Sequence, residues 1–135
     1  MNSIPYKAEH LFKIEDVEGV ILTQHLAEGH EMMGPAMSLE HNGKIIACGG
    51  IHKFWEGTGE AWMSISSKLM GPSVLKEIRK SFNMMCDGYT RVHAVTITGW
   101  RQGERTLEFL GFKFEAVLRK LGPEGKDKSV YARIR

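Results

Sequence analysis

The stretch SSKLMGPSVLKEIRKSF, from Ser66 to Phe82, reads as the exit of a strand, a short loop and the start of a helix. Unpaired N–H groups and the positive end of the helix dipole make such a junction an anion site, and glycine lets the backbone close on a phosphate. Here the loop has one glycine, Gly71, beside the apolar Leu69 and Met70. Pro72 suits the first helical position but removes one N–H from the turn that would face a phosphate. Ser66, Ser67, Lys68 and Ser73 offer hydroxyls and one positive charge in partial compensation. The place is right for a phosphate, and the cradle is incomplete.

Other chemistries find less support. The histidines stand at 10, 25, 30, 41, 52 and 93, and no pair of them shares a helical face with an acid nearby. His25 and His30, five apart, fall on different faces, so no metal centre is expected. Cys48 and Cys86 lack the paired spacing of zinc or redox sites and lie in apolar surroundings, which predicts buried free thiols in a reducing compartment. With no GxxxxGK loop, serine elbow or readable Cys-His pairing, nucleoside-triphosphatase and hydrolase functions fall away.

The chain of 135 residues is expected to be one domain, 1–135, large enough for a real core. Hydrophobic residues at 42% and charged residues at 25% argue against disorder. The formal net charge is +2, with both signs interleaved, so nucleic acid is not an expected partner. No apolar run approaches the ~18 residues of a membrane span, and MNSIPYKAEH lacks the layout of a signal peptide, so no membrane role and a cytoplasmic location are expected.

The elements that must position a site follow from local pattern. SIPYKA is a short strand, and Leu11, Ile14, Val17, Ile21, Leu22 and Leu26 have helical spacing over two segments, broken near Glu18-Gly19 and ended by Gly29. Asn42-Gly43 between two apolar runs predicts a hairpin, and Gly57 with Gly59 a second turn before a strand carrying Ala61, Met63 and Ile65 on one face. After Pro72, residues Val74, Leu75, Ile78, Phe82 and Met85 mark a helix, with Lys76, Arg79 and Lys80 on its polar side. RVHAVTIT reads as a strand buried on both faces, WRQGERTLEFLG as a helix closed by Gly111, and FKFEAVLRKLGPEGKDKSVYARIR as two alternating strands around a polar turn. The order is β, α, α, β, β, β, α, β, α, β, β.

That order resembles the GNAT superfamily of N-acetyltransferases, and the carrying residues are LEFLGFKFEAVLRKLGPEGKDKSVYARI, with Leu110, Gly111, Phe112, Phe114, Glu115 and Arg119 in the family's pattern. NGKIIACGGIHKF is similar to its hairpin and GEAWMSIS to its fourth strand. The resemblance implies an α/β (α+β) GNAT-like fold, a mixed and mostly antiparallel sheet of about seven strands with about four helices. It also implies acetyl-CoA as cofactor, with its diphosphate at the Ser66–Phe82 junction. The residues it assigns to coenzyme A are Ile65, Ser66, Ser67, Lys68, Gly71, Ser73 and Trp100.

Acetyl transfer to an amine needs a base for the amine, donors for the carbonyl oxygen and an acid for the departing thiolate. Glu60 and His93, beside the cleft the family opens between its fourth and fifth strands, are the candidate bases. The family's acidic tyrosine falls on Leu107 and its frequent asparagine on Trp100, two departures from the pattern. Tyr89, Tyr131 and the tryptophans Trp55, Trp62 and Trp100 read as packing residues.

Two functions follow. One is an acetyltransferase acting by direct attack of an amine, on a small molecule or a protein. The other is a GNAT-shaped module without catalysis, similar in EAWMSIS and SVLKEIRKSF to phage-encoded internal virion proteins, with a phage or host protein as partner. A homodimer through the terminal hairpin and Met32, Met33 and Trp55 is also an expectation.

Overall fold

The computed structural model describes residues 1–17, 23–69 and 71–135. Asn42 and Gly43 take φ of 50° and 75°, the geometry of a primed two-residue turn, and join β2 (Ala36–His41) to β3 (Lys44–Trp55) as expected. Gly57, with φ of 83°, turns β3 into β4 (Thr58–Ile65). Gly59 is not part of that turn. It lies inside β4, where a Cβ would come within 2.6 Å of the Ile51 side chain and 2.7 Å of the His52 carbonyl oxygen.

The remaining strands are β1 (Asn2–Pro5), β5 (Arg91–Ile97), β6 (Lys113–Leu118) and β7 (Lys128–Ile134). They form one seven-stranded sheet in the order β1-β2-β3-β4-β5-β7-β6. Every neighbouring pair is antiparallel except β4 with β5, which gives the mixed, mostly antiparallel sheet of the expectation.

Helices α1 (Ala8–Leu11) and α2 (Gln24–Met32) lie on one side of the sheet, α3 (Pro72–Met85) and α4 (Arg101–Phe109) on the other. Phe82 and Cys86 of α3 meet Ile51, Val92, Ala94, Phe112 and Tyr131 in the larger core. The opposite core joins Tyr6, Leu11, Ile14 and Ala27 to Ile45 and Cys48. Burying each side chain of this size contributes about 2 kcal/mol. Both cysteines are free and buried.

Three expectations need correction. The first helix stops at Leu11: Ile14 is buried from non-helical chain and Val17 forms a bridge to Ser66, while Glu18, Gly19, Ile21 and Leu22 lie outside the described residues. Gly29 does not end α2, which runs on to Met32; a side chain at Gly29 would face open space, so glycine there costs only helix propensity. β5 is fully buried on one face only, through Val92, Ala94 and Thr96, because α1 and α2 pack over β3 and leave the face carrying Arg91, His93, Val95 and Ile97 half-buried.

β6 also departs from alternation. Each of its residues is exposed, Phe114 and Val117 among them, because it is the sheet's edge and its strand neighbour is β7 alone.

Candidate active site

β4 and β5 are paired only at Thr58, Gly59 and Glu60 against Arg91, Val92 and His93. Beyond that point β4 stays with β3 and β5 with β7. The facing edges of residues 61–65 and 94–97 therefore have no ladder partner, and their backbone groups border an open wedge. That wedge is a cleft of about 160 Å³ lined by Met63, Ile65, Ile78, Thr96, Trp100 and Leu107. It is apolar and narrow, suited to an extended chain more than to a bulky ring system.

Gly103 of α4 shapes one wall. A Cβ there would stand 2.5 Å from Thr96 Oγ1 and 2.6 Å from Trp100 Cε3, so glycine is what lets the indole lie against the helix. Thr96 Oγ1 is buried and has no partner within the described residues. A buried unpaired hydroxyl beside an open cleft is a group that a ligand could satisfy.

At the closed head of the wedge the structure brings Glu60 and His93 together. They are register partners across the last rung of the ladder, with His93 Nε2 4.0 Å from Glu60 Oε2. Ala61 and Ala94, the next residue of each strand, line the cleft. The two side chains remain partly accessible, at 36% for Glu60 and 20% for His93. His93 Nδ1 is buried without a partner, and the Phe54 ring lies 5.5 Å away.

Nearby charge is otherwise committed. Arg91 holds Glu115 through two hydrogen bonds of 2.9 and 2.7 Å, and this keeps the Glu115 carboxyl below the ordinary carboxylate range. Among the described residues, Glu60 makes its ion pair with His93 and not with an arginine. Its register partner on the other side is His52 of β3. The His52 Nε2 lies 2.7 Å from Nδ1 of His30, and the buried His30 ring stacks on Trp62 at 3.6 Å between centroids. Burial, and then the charge His52 can carry, push His30 down to about 4.

The anion loop is arranged differently from an open cradle. Ser66 N–H donates to the Ile46 carbonyl, Ser67 N–H to the Asp16 carbonyl and Leu69 N–H to the Ser66 carbonyl. The Ser67 hydroxyl also donates to the Asp16 carbonyl at 2.8 Å, and Lys68 Nζ lies 3.3 Å from the Asp16 carboxylate. Gly71 caps α3 in an extended conformation, Pro72 has no N–H, and the first helical bond runs from Leu75 N–H to the Gly71 carbonyl. Among the described residues, this leaves the N–H groups of Ser73 and Val74 as the open donors at that helix end. Met70 lies outside the described residues.

Of the residues assigned to a cofactor, Ile65, Ser67 and Trp100 line the cleft. Ser66 instead borders a separate polar hollow with His10, Lys13, Glu15 and Lys44, while Lys68, Gly71 and Ser73 stand outside both. Leu107 lines the cleft where an acidic tyrosine would serve, and Tyr131 is packed in the core. The Cys48 thiol, buried beside the Ser38 hydroxyl, is pushed up to about 11 and is no nucleophile. The sequence reading missed Thr96, His30 and His52. The count across the hairpin could not have found His52, because the register slips by one residue between Lys53 and Trp55.

No protein-family model matches the chain, and no curated protein matches its sequence. Solved structures do match its shape. Ard1 from Thermoplasma volcanium superposes at a TM-score of 0.87 with 13% identity, over 98% of this chain and 96% of that one. The ribosomal-protein-S5-alanine acetyltransferase from Vibrio fischeri gives 0.73 with 17% identity, over 98% and 91%. A GNAT family acetyltransferase from Elizabethkingia anophelis, solved with acetyl-CoA bound, gives 0.74 with 12% identity, over 99% and 97%. With its seven-stranded mixed sheet, its four helices and its parted β4 and β5, the chain has the GNAT fold.

Proposed function

We propose that the chain is an N-acetyltransferase that moves an acetyl group from acetyl-CoA to an amine by direct attack. The observation that carries this reading is the Glu60–His93 pair at the head of the wedge where the only parallel strands part. Acetyl-CoA, when bound, supplies an acetyl group activated as a thioester. The cleft suits the arm of such a cofactor: its walls are apolar, its strand edges are unpaired, and the Thr96 hydroxyl lacks a partner. The diphosphate end fits poorly, because three loop N–H groups are already bonded and Asp16 neutralises Lys68.

The chain's own contribution is then specific. Met63, Ile65 and Leu107 exclude water from the reacting end, which strengthens each electrostatic contact there. Unpaired backbone N–H groups on the free edge of β4 are available as donors to a carbonyl oxygen gaining charge. Glu60, directly or through one water, takes the proton that an ammonium must lose before it attacks, and His93 holds the carboxylate's position. Leu107 cannot donate a proton, so the chain offers no acid at that position for a departing thiolate.

Calorimetric titration of acetyl-CoA and coenzyme A, followed by thiol release in the presence of small amines and peptide N-termini, tests the proposal. Micromolar binding with amine-dependent thiol release is expected. The closed loop also sets a specific expectation: Asp16→Asn frees Lys68 and should tighten coenzyme A binding about fivefold, the scale of one exposed charge pair. Equal affinities would show that the diphosphate does not approach this loop.

The same closed loop favours a second reading, a GNAT-shaped module that binds a protein partner and does no chemistry, as in a phage virion. Absence of binding at millimolar acetyl-CoA would select it.

A further inference from the structure

Glu60 sits in the middle of a row of titratable groups that crosses three strands. Its register partners are His52 on β3 and His93 on β5, and His52 is bonded in turn to His30 of α2. We propose that His52, held in one tautomer by His30, is the residue that relieves Glu60 of the acceptor's proton, so that the four side chains act as a proton exit on the acceptor side of the sheet. The use of the proton rests on the acetyltransferase reading; the coupling of the histidines to Glu60 does not.

The geometry fixes the roles. An N···N separation of 2.7 Å between His30 Nδ1 and His52 Nε2 has room for one hydrogen, so one ring donates and the other accepts. His30 is buried and clamped against Trp62, whose own Nε1 has no partner, and a charge there would have no counter-ion. His30 therefore stays neutral, and whenever His52 is protonated both of its ring nitrogens are donors, so His30 Nδ1 accepts from His52 Nε2–H. That leaves His52 Nδ1 as the nitrogen that gains or loses a proton; burial holds the ring below the ordinary imidazole range, and the Glu60 carboxylate opposes that by favouring the charged ring. The titratable groups facing His52 are thus His30 from α2 and Glu60 from β4, with His93 beyond Glu60.

The step balances. An ammonium N–H bond breaks as an O–H bond forms on Glu60, which frees the nitrogen lone pair for attack. The O–H bond then breaks as N–H forms at His52 Nδ1, directly or through one water, and the carboxylate is restored. The half-buried imidazolium gives the proton to solvent. Acetylation of an ammonium releases one proton per turnover, and the pair of imidazoles holds one.

Two measurements test this. NMR titration of histidine ring nitrogens should show His30 and His52 taking up a single proton between them before His30 takes up its own near pH 4, and Glu60→Gln, which leaves both rings in place, should move the His52 midpoint down. Two independent protonations, or no response to Glu60→Gln, overturn the coupling, and this holds whether or not the protein acetylates anything. In the acetylation assay, His52→Ala should lower kcat at least tenfold with the amine KM within twofold, displace the acid limb of the pH profile, and recover activity with added imidazole. A wild-type pH profile in His52→Ala overturns the relay while leaving the acetyltransferase reading intact. Absence of any transfer by the wild-type protein overturns the relay together with that reading, and the titration alone then decides the coupling.

Discussion

Glu60→Gln is expected to lower kcat/KM for amine acetylation by about 100-fold near neutral pH, the lower range for loss of a general base. Glutamine keeps the volume of the side chain and its place between His52 and His93, so the loss reports the charge and not the packing. His93→Ala is expected to cost about tenfold, because His93 stands 4.0 Å from the carboxylate and positions it without being its only support. The measurement is thiol release over a pH series, with circular dichroism confirming that each variant is folded. If Glu60 is the base, the Glu60→Gln profile loses its acid limb as well as its height. Rates within twofold of wild type for both variants would take the pair out of the mechanism and move attention to the partner-binding reading.

The nearness of Glu60 to His93 was legible, because a strand pattern and a family-like order place them at the same depth of neighbouring strands. Their contact depends on a parallel pairing three residues long, which local pattern does not encode. The hairpin ladder explains why His52 was not seen beside Glu60. Across the Gly57 turn, Lys53 pairs with Gly59 but Trp55 with Thr58, so the register slips by one residue at Phe54. A slip of one residue exchanges the faces of a strand, and counting from the turn alone puts His52 on either side.

Other parts of the fold divide in the same way. Asn42-Gly43, Pro72 and Gly111 act through backbone geometry at their own positions, and each ends or begins the element expected of it. Asp16 acts at long range, reaching a loop fifty-one residues on by its carbonyl and carboxylate, and no local signal marks it. The loop's single glycine and its proline already suggested a weak cradle. The structure adds the physical reason: Asp16 takes the Ser67 donors and pairs with Lys68, while the Ser66 and Leu69 N–H groups are bonded to the Ile46 and Ser66 carbonyls.

Acid should destabilise the folded chain in a window set by His30. The buried ring holds its proton only below about 4, against 6.5 for an exposed imidazole. Between those values the unfolded chain takes up a proton that the folded chain refuses, so stability is complete above pH 6.5 and falls as pH drops toward 4. The loss from this group is about 3 kcal/mol over the window. His30→Phe keeps a ring for the stack on Trp62 and removes the titration. Urea unfolding at pH 7.5 and 4.5 should therefore show the variant less stable at the higher pH, where the bond to His52 is lost, and closing on or passing the wild type at the lower. Parallel pH dependences in the two proteins would mean that His30 is protonated in the fold, and the neutral acceptor on which the His52 tautomer depends would be gone. His10, also buried and held low by desolvation, is present in both proteins and cancels from the difference. The comparison thus isolates the bonded His30–His52 pair, in which the neutrality of His30 serves both the stability of the α2 side and the proton exit from Glu60.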